Sequence, residues 1–240
     1  MLKYKRVLFK VSGESLMGDK PFGHDMNAIK KTCEEIVSIH KAGAEISIVV
    51  GGGNIFRGVS STSEIMDRAN ADYMGMLATV MNGIALQAGI EKYGVETRMM
   101  SALAMTGVCE TYTLRKALSH LEKGHINIFV SGTGNPYFTT DTASVLRATE
   151  MNCDVILKGT QVDGVYDKDP KKYQDATRFD AISFNEAIKR DLRVMDPTAL
   201  TLARDNNMPI LVFKISEQDA FLKAIKGEGK YTIINREGLK

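Results

Sequence analysis

The chain has 240 residues, 44% of them hydrophobic and 25% charged, enough to bury a sizeable core as one large α/β domain or two small ones. Its 31 basic and 29 acidic residues leave a net charge of +2, which excludes a general affinity for nucleic acid or anionic membrane. Residues 1–10 mix Lys and Arg with apolar residues and show no long apolar core, so no signal peptide is read there, and no apolar run approaches the length of a membrane span.

Strand and helix patterns alternate along the chain. Residues 7–11 read as a strand ending at Ser12-Gly13. Residues 26–42 are an amphipathic helix, with Ile29, Cys33, Ile36, Val37 and His40 at helical spacing, and Gly43 stops it. Residues 45–50 form the next strand and run into Gly51-Gly52-Gly53. A long helix is expected over 64–92, a short strand over 97–101, a helix over 111–123 and a buried strand over 126–130. Then come a helix over 142–152, a strand over 155–158 and a turn or hairpin at 163–166. Helices over 183–189 and 196–206, a strand over 209–213, a helix over 217–226 and a strand over 231–234 complete the pattern. Strands alternating with helices predict an α/β fold, with a central, mostly parallel twisted sheet covered on both faces.

Four strand ends carry Gly, Ser or Thr: Lys10-Val11-Ser12-Gly13, Val50-Gly51-Gly52-Gly53-Asn54, Gly132-Thr133-Gly134 and Lys158-Gly159-Thr160. Carboxyl ends of parallel strands share one edge, so these loops are expected to line one crevice. Backbone N–H groups in such turns favour anions, phosphate above all. The stretch Thr133-Gly134-Asn135-Pro136-Tyr137-Phe138-Thr139-Thr140-Asp141 stands out. It joins mobile backbone, a rigid turn, two rings, hydroxyls and a carboxylate, a set suited to a flat ligand with polar edges.

Neither a P-loop nor a clean G-x-G-x-x-G follows the first strand. What remains are two strand-end lysines, Lys10 and Lys158, with Arg57 just past the triple glycine. Phosphoryl transfer needs positive charge on the moving group and in-line placement of donor and acceptor. Lysines from separate strands could hold that group from two sides, with Asp141 orienting them. On the residues alone three readings stay open: a nucleotide kinase, a kinase of a small carboxylate or carbamate, and a non-catalytic nucleotide sensor. Tyr137 and Phe138 beside Asn135 suit a base and weigh against the second. The lysines and Asp141 weigh against the third.

Other features take bland readings. Met66, Met74, Met76 and Met81 read as packing. The four histidines lack metal-ligand spacing, and Asp163, Asp167 and Asp169 do not meet the EF-hand pattern. Cys33, Cys109 and Cys153 are odd in number and far apart, which predicts buried thiols in a reducing cytoplasm rather than disulfides. Gly75 and Gly83 each cost about 1 kcal/mol against Ala inside a helix, and predict close packing of another helix, with a subunit interface as the candidate place.

Several motifs together resemble the bacterial uridylate kinases of the amino acid kinase superfamily. They are Lys10-Val11-Ser12-Gly13-Glu14, Gly51-Gly52-Gly53-Asn54-Ile55-Phe56-Arg57-Gly58, Met74-Gly75-Met76-Leu77-Ala78-Thr79-Val80-Met81-Asn82-Gly83, the 133–141 loop, and Asp163-Gly164-Val165-Tyr166 with Asp169-Pro170. The resemblance spans nearly the whole chain. It implies a three-layer αβα sandwich forming a single domain over 1–240, with the UMP site mainly in the N-terminal part and the ATP site mainly in the C-terminal part. It implies transfer of the γ-phosphate of ATP to UMP, giving UDP for pyrimidine nucleotide synthesis.

Residue roles follow from the same resemblance. Lys10, Lys158, Asp141 and Arg57 would be catalytic. Lys10, Val11, Ser12, Gly13, Gly53, Arg57, Thr160, Tyr166 and Asp169 would bind ATP. Gly52, Asp72, Thr133, Gly134, Asn135, Pro136, Tyr137, Phe138, Thr139 and Thr140 would bind UMP. Mg²⁺ would be carried by the nucleotide phosphates, with no protein metal site. The segment Gly18-Asp19-Lys20-Pro21-Phe22-Gly23 corresponds to the family's effector-linked region and reads as a polar loop away from the crevice. A cytoplasmic homohexamer is implied, with GTP as activating effector and UTP as inhibitor.

Overall fold

The computed structural model describes residues 1–57, 66–192, 194–215, 217 and 219–238. Strand β1 (Arg6–Val11) sets the frame. Its side chains alternate: Val7, Phe9 and Val11 enter one apolar core, and Leu8 enters another on the opposite face. Strand β6 (Val155–Thr160) repeats this, with Val155 and Leu157 on the first face and Ile156 on the second.

The remaining strands are β2 (Glu45–Val50), β3 (Thr97–Ser101), β4 (Glu110–Thr111), β5 (Ile126–Val130), β7 (Val165–Tyr166), β8 (Arg178–Phe179), β9 (Ala181–Ser183), β10 (Ile210–Lys214) and β11 (Tyr231–Asn235). Among the described residues nine strands join in the order β4-β3-β5-β2-β1-β6-β10-β11-β9. Every pairing in this sheet is parallel except β10 with β11. Strands β7 and β8 form a separate antiparallel pair.

Helices α1 (Met26–Lys41), α2 (Arg68–Glu91) and α7 (Ala220–Lys226) cover the first face. Helices α3 (Leu114–Glu122), α4 (Thr140–Glu150), α5 (Phe184–Lys189) and α6 (Pro197–Asp205) cover the second. Burial holds the layers together: Phe221 of α7 meets Phe9 edge-on at 4.2 Å and Phe213 at 5.0 Å, each pair adding about 0.5–1.5 kcal/mol beyond its buried area. The arrangement is the expected three-layer α/β sandwich.

Some expected boundaries move. Helix α2 begins at Arg68, where the Asp67 carboxylate accepts from Asn70 N at 2.8 Å; the start expected at residue 64 lies outside the described residues. Residues 110–111 pair with β3 as a sheet edge, so the helix expected over 111–123 begins at Leu114 behind its cap Thr113. Helix α4 begins two residues before the expected 142 because Thr139 caps it. The expected turn or hairpin at 163–166 is one arm of the β7–β8 pair.

The glycine reading of α2 needs correcting. A Cβ on Gly83 would lie 2.5 Å from Val130 Cγ1 and 2.7 Å from Met99 Sδ, so Gly83 fits the helix onto the sheet, not onto another helix. Gly75 faces open space. The close approach is made by Gly52, where a Cβ would stand 2.8 Å from the Gly75 carbonyl oxygen and 2.9 Å from Ala78 Cβ. The membrane reading also needs amending: α2 has 24 residues and is long and apolar enough, by composition, to cross a membrane. Its Thr79 and Asn82 are buried and hydrogen-bonded into the strand-end loops, which is how a core helix is held.

Candidate functional site

Parallel pairing places Lys10 directly beside Lys158 on neighbouring strands β1 and β6. The alternation that sends Leu8 and Ile156 to the second face sends both lysines the same way. There they meet Asp141, in the first turn of α4. Lys10 Nζ stands 2.9 Å from Asp141 Oδ1 as an ion pair without hydrogen-bond alignment, and Lys158 Nζ donates to Oδ2 at 3.0 Å. Lys158 also donates to the Val194 carbonyl. All three side chains are nearly enclosed, at 13–14% exposure.

The electrostatics follow from that burial. Desolvation pushes the Asp141 carboxyl up, but the two ammonium groups together outweigh it and hold it below the ordinary carboxylate range. Desolvation also dominates at Lys158 and lowers it from the ordinary lysine value; Asp141 opposes this and Lys10 adds to it. Two cations thus bracket Asp141, with the Asp196 carboxylate also acting on Lys158, in a water-poor place beside a helix N-terminus. Added negative charge is stabilised there.

Thr139 caps α4 and is itself held. Its hydroxyl accepts from Asp141 N at 3.0 Å and donates to Asp196 at 2.5 Å. Asp196 also receives the Thr142 hydroxyl at 3.2 Å and caps α6, accepting from Ala199 N at 3.0 Å. One carboxylate therefore fixes the starts of two helices beside the lysines. The Asp196-Pro197 pair is legible as a helix start; its contact with Thr139 crosses 57 residues and has no local signature.

Two clefts flank this centre. A cleft of about 230 Å³ is lined by Gly52, Gly53, Phe56, Asp72, Thr133, Phe138, Thr139 and Thr140, with Arg68 and Thr79. A larger one of about 530 Å³ is lined by Lys158, Thr160, Tyr166 and Asp169, with Val162, Leu192 and Val194. The sequence reading missed Phe56, Arg68, Thr79, Val162, Leu192 and Val194 as lining residues. In the larger cleft the Tyr166 hydroxyl donates to Asp163 at 2.6 Å, which fixes the ring. Thr160 accepts from Val162 N at 3.2 Å and donates to the Val162 carbonyl at 2.7 Å. Asp169 Oδ1 accepts from Lys171 N at 2.9 Å.

The remaining candidates lie around these clefts. Gly53, expected on the ATP side, stands on the wall of the smaller cleft. Arg57 Nε donates to the Gly53 carbonyl at 3.2 Å and pairs with Glu14 at 2.5 Å. Val11 is fully buried at the end of β1, and Ser12 caps the short 3-10 turn that begins at Gly13. Asp72 takes both oxygens to Arg68 Nε at 2.9 Å and accepts from Tyr137 N at 2.8 Å, which ties α2 to the 133–141 loop. Asn135 and Tyr137 point outward, and Gly134 and Pro136 do not line the cleft.

The 18–23 segment is not remote from the crevice. Gly23 N donates to the Asn54 carbonyl at 2.7 Å, next to the triple glycine. Gly18, Asp19 and Lys20 line a further cavity of about 700 Å³ with Glu14, Lys31 and Glu35.

Comparison with known proteins agrees with this geometry. Residues 5–214 match the amino acid kinase family. The uridylate kinase of Wolbachia pipientis wMel is 55% identical over 98% of this chain and 94% of its own length. That of Rickettsia felis is 54% identical over 97% and 96%. Among solved structures, the UMP kinase from Bacillus anthracis superposes with a TM-score of 0.95 at 39% identity, covering 98% of both chains. The UMP kinase from Ureaplasma parvum superposes with a TM-score of 0.92 at 39% identity, covering 98% of this chain and all of its own. The chain belongs to the amino acid kinase family, and within it to the uridylate kinases.

Proposed function

We propose that UMP occupies the smaller cleft and ATP the larger one, with the transferring phosphoryl group held between Lys10 and Lys158. The chain phosphorylates UMP. The observation that carries the residue assignment is the Lys10–Asp141–Lys158 cluster, enclosed and set beside both clefts. In the ground state Asp141 holds the two ammonium groups in place. As charge spreads over the phosphoryl oxygens, both lysines turn part of their interaction toward it. That interaction strengthens in the transition state and so lowers the barrier.

Asp141 is committed to two lysines. Mg²⁺ would be bound by the ATP phosphates, where it would neutralise their charge. Phe138 and the Thr133, Thr139 and Thr140 hydroxyls would read the base and ribose, with Asp72 at the ribose end. A single unit would handle both substrates.

Assembly is part of the same reading. On α2, Tyr73, Leu77, Met81 and Ile84 are 41–51% exposed and lie at i, i+4, i+8 and i+11, an apolar stripe on the surface of the chain. Such a stripe suits a two-fold contact with a second copy, a step toward the homohexamer. GTP and UTP as effectors and a cytoplasmic setting belong to the proposal too; the free thiols of Cys33, Cys109 and Cys153 fit a reducing compartment.

A coupled ADP-release assay with UMP, CMP and acidic amino acids tests the substrate. UMP is expected to be strongly preferred, because a site that hydrogen-bonds one base edge leaves its groups unpaired with the other. Comparable turnover of CMP and UMP at subsaturating concentration would remove the base-reading role given to the 133–140 loop.

A further inference from the structure

Behind the triple glycine lies a closed amide pair. Asn82 of α2 and Asn54 are 0% and 2% exposed. Asn82 Nδ2 donates to the Gly51 carbonyl at 2.6 Å and to Asn54 Oδ1 at 2.7 Å, and Asn54 Nδ2 donates back to Asn82 Oδ1 at 3.1 Å. The Gly51 carbonyl can only accept, so the orientation of the Asn82 amide is fixed. Its oxygen therefore faces His24, whose Nε2 lies 2.6 Å away. His24 must donate from Nε2. Asn54 Nδ2 also donates to the Gly23 carbonyl at 2.8 Å, while Gly23 N donates to the Asn54 carbonyl at 2.7 Å.

This network touches both phosphate-facing loops. A Cβ on Gly13 would overlap Asn54 Oδ1, so the asparagine amide is the surface on which Gly13 rests. Gly51 is wedged between Gly13 and α4: a Cβ there would be 3.3 Å from Gly13 N and 3.5 Å from Thr140 Oγ1. Asp141 follows Thr140. The amide pair thus sets the spacing of Gly13, Gly51 and the α4 N-terminus, the parts around the phosphoryl path.

We propose that Asn82, Asn54 and His24 are positioning residues for phosphoryl transfer, and that His24 links the 18–23 segment to the Gly13 and Gly51 loops. None of the three lines either cleft. They act by holding backbone that must stay within a fraction of an ångström of the reacting groups. Removing the His24 donor leaves the buried Asn82 Oδ1 with one partner, Asn54 Nδ2, in place of two, which loosens the amide pair behind the Gly51 carbonyl without reversing it. The inference rests on the kinase reading of the same site.

The test compares His24→Leu, His24→Gln, Asn82→Leu and the double variant His24→Leu/Asn82→Leu, with Lys158→Met as reference. Each is measured for kcat, for KM of ATP and of UMP, and for Tm. His24→Leu is expected to lower kcat about tenfold while both KM values stay within about twofold, the signature of lost transition-state placement. His24→Gln, whose amide can donate in place of Nε2, should recover kcat to within about twofold of the parent. The double variant should be no worse than Asn82→Leu alone, since groups in one network are not additive. Should Asn82→Leu fail to fold, the two His24 variants, at a part-buried position, still decide. Parental kcat in His24→Leu, or no recovery in His24→Gln, overturns the proposal. If Lys158→Met also keeps parental kcat, the kinase assignment of the centre falls instead.

Discussion

The phosphoryl centre and the 133–138 loop are built in opposite ways. At the centre, Lys10, Lys158 and Asp141 sit on two central strands and a helix first turn, almost enclosed and ion-paired. The loop is exposed: Tyr137 is 69% and Phe138 48% accessible. It is held largely by unusual backbone, with φ of 62° at Ser131, 55° at Gly132, 80° at Gly134 and 72° at Tyr137, and by the Asp72 carboxylate. Chemistry needs fixed charge, which regular elements supply. Recognition of a base needs adaptable polar groups, which a loop supplies at lower stability.

The sharpest way to break this contrast is at the centre. Lys158→Met, Lys10→Met and Asp141→Asn should each lower kcat by about 10²–10³ with much smaller changes in UMP affinity. Steady-state kinetics with direct nucleotide binding checks this; three variants that bind both nucleotides and keep near-parental kcat would show that the centre is misassigned. Asp141 also has a pH signature. Its folded pKa lies below the ordinary value, so its contribution to stability is present above the unfolded pKa of about 3.9 and is lost as pH falls through the folded one. Urea midpoints should fall less steeply in Asp141→Asn than in the parent below about pH 4.

The fold supporting the centre breaks next. Gly83→Ala places a methyl against Val130 and Met99, and should cost about 1–3 kcal/mol, lowering Tm by roughly 3–10 °C. Calorimetry that finds Gly83→Ala as stable as the parent would show that α2 can lift from the sheet. At the loop, Asp72→Asn weakens the hold on Arg68 and on Tyr137 N. It should raise KM for UMP about tenfold while kcat changes by less than about twofold, because the loop binds and the centre reacts. A fall in kcat equal to the rise in KM would join the two regions into one.

How far the sequence reaches follows the same divide. The sheet, its helices and the place of Lys10 and Lys158 at strand ends on one edge rest on period-2 and helical patterning, which are local signals read directly; that β1 and β6 are neighbours is not such a signal. Asp141 is legible because it opens a helix after a strand. The hold of Asp196 on Thr139, of Asp72 on Tyr137 and of Asn82 on Gly51 is not, since each joins residues 31 to 65 positions apart. Nor is the role of Gly83 in seating α2 on β5, which depends on how deep the helix lies. The two-residue strands β4 and β8 escape because two residues carry no periodicity.

The smallest effect separates backbone from side chain in the loop. Tyr137 holds φ 72°, a left-handed conformation that costs a non-glycine residue about 1–2 kcal/mol. Tyr137→Gly removes that cost in the folded chain but adds freedom to the unfolded one. The two nearly cancel, so Tm should move by less than about 2 °C. The ring lies outside the cleft lining, with Arg68 5.9 Å from its centre. KM for UMP should therefore rise less than about threefold, and Phe138→Ala, at the cleft wall, should raise it more. If Tyr137→Gly instead raises KM more than about tenfold, the ring must turn inward onto bound nucleotide, and the loop would then close over its ligand as a moving part rather than wait for it as a formed wall.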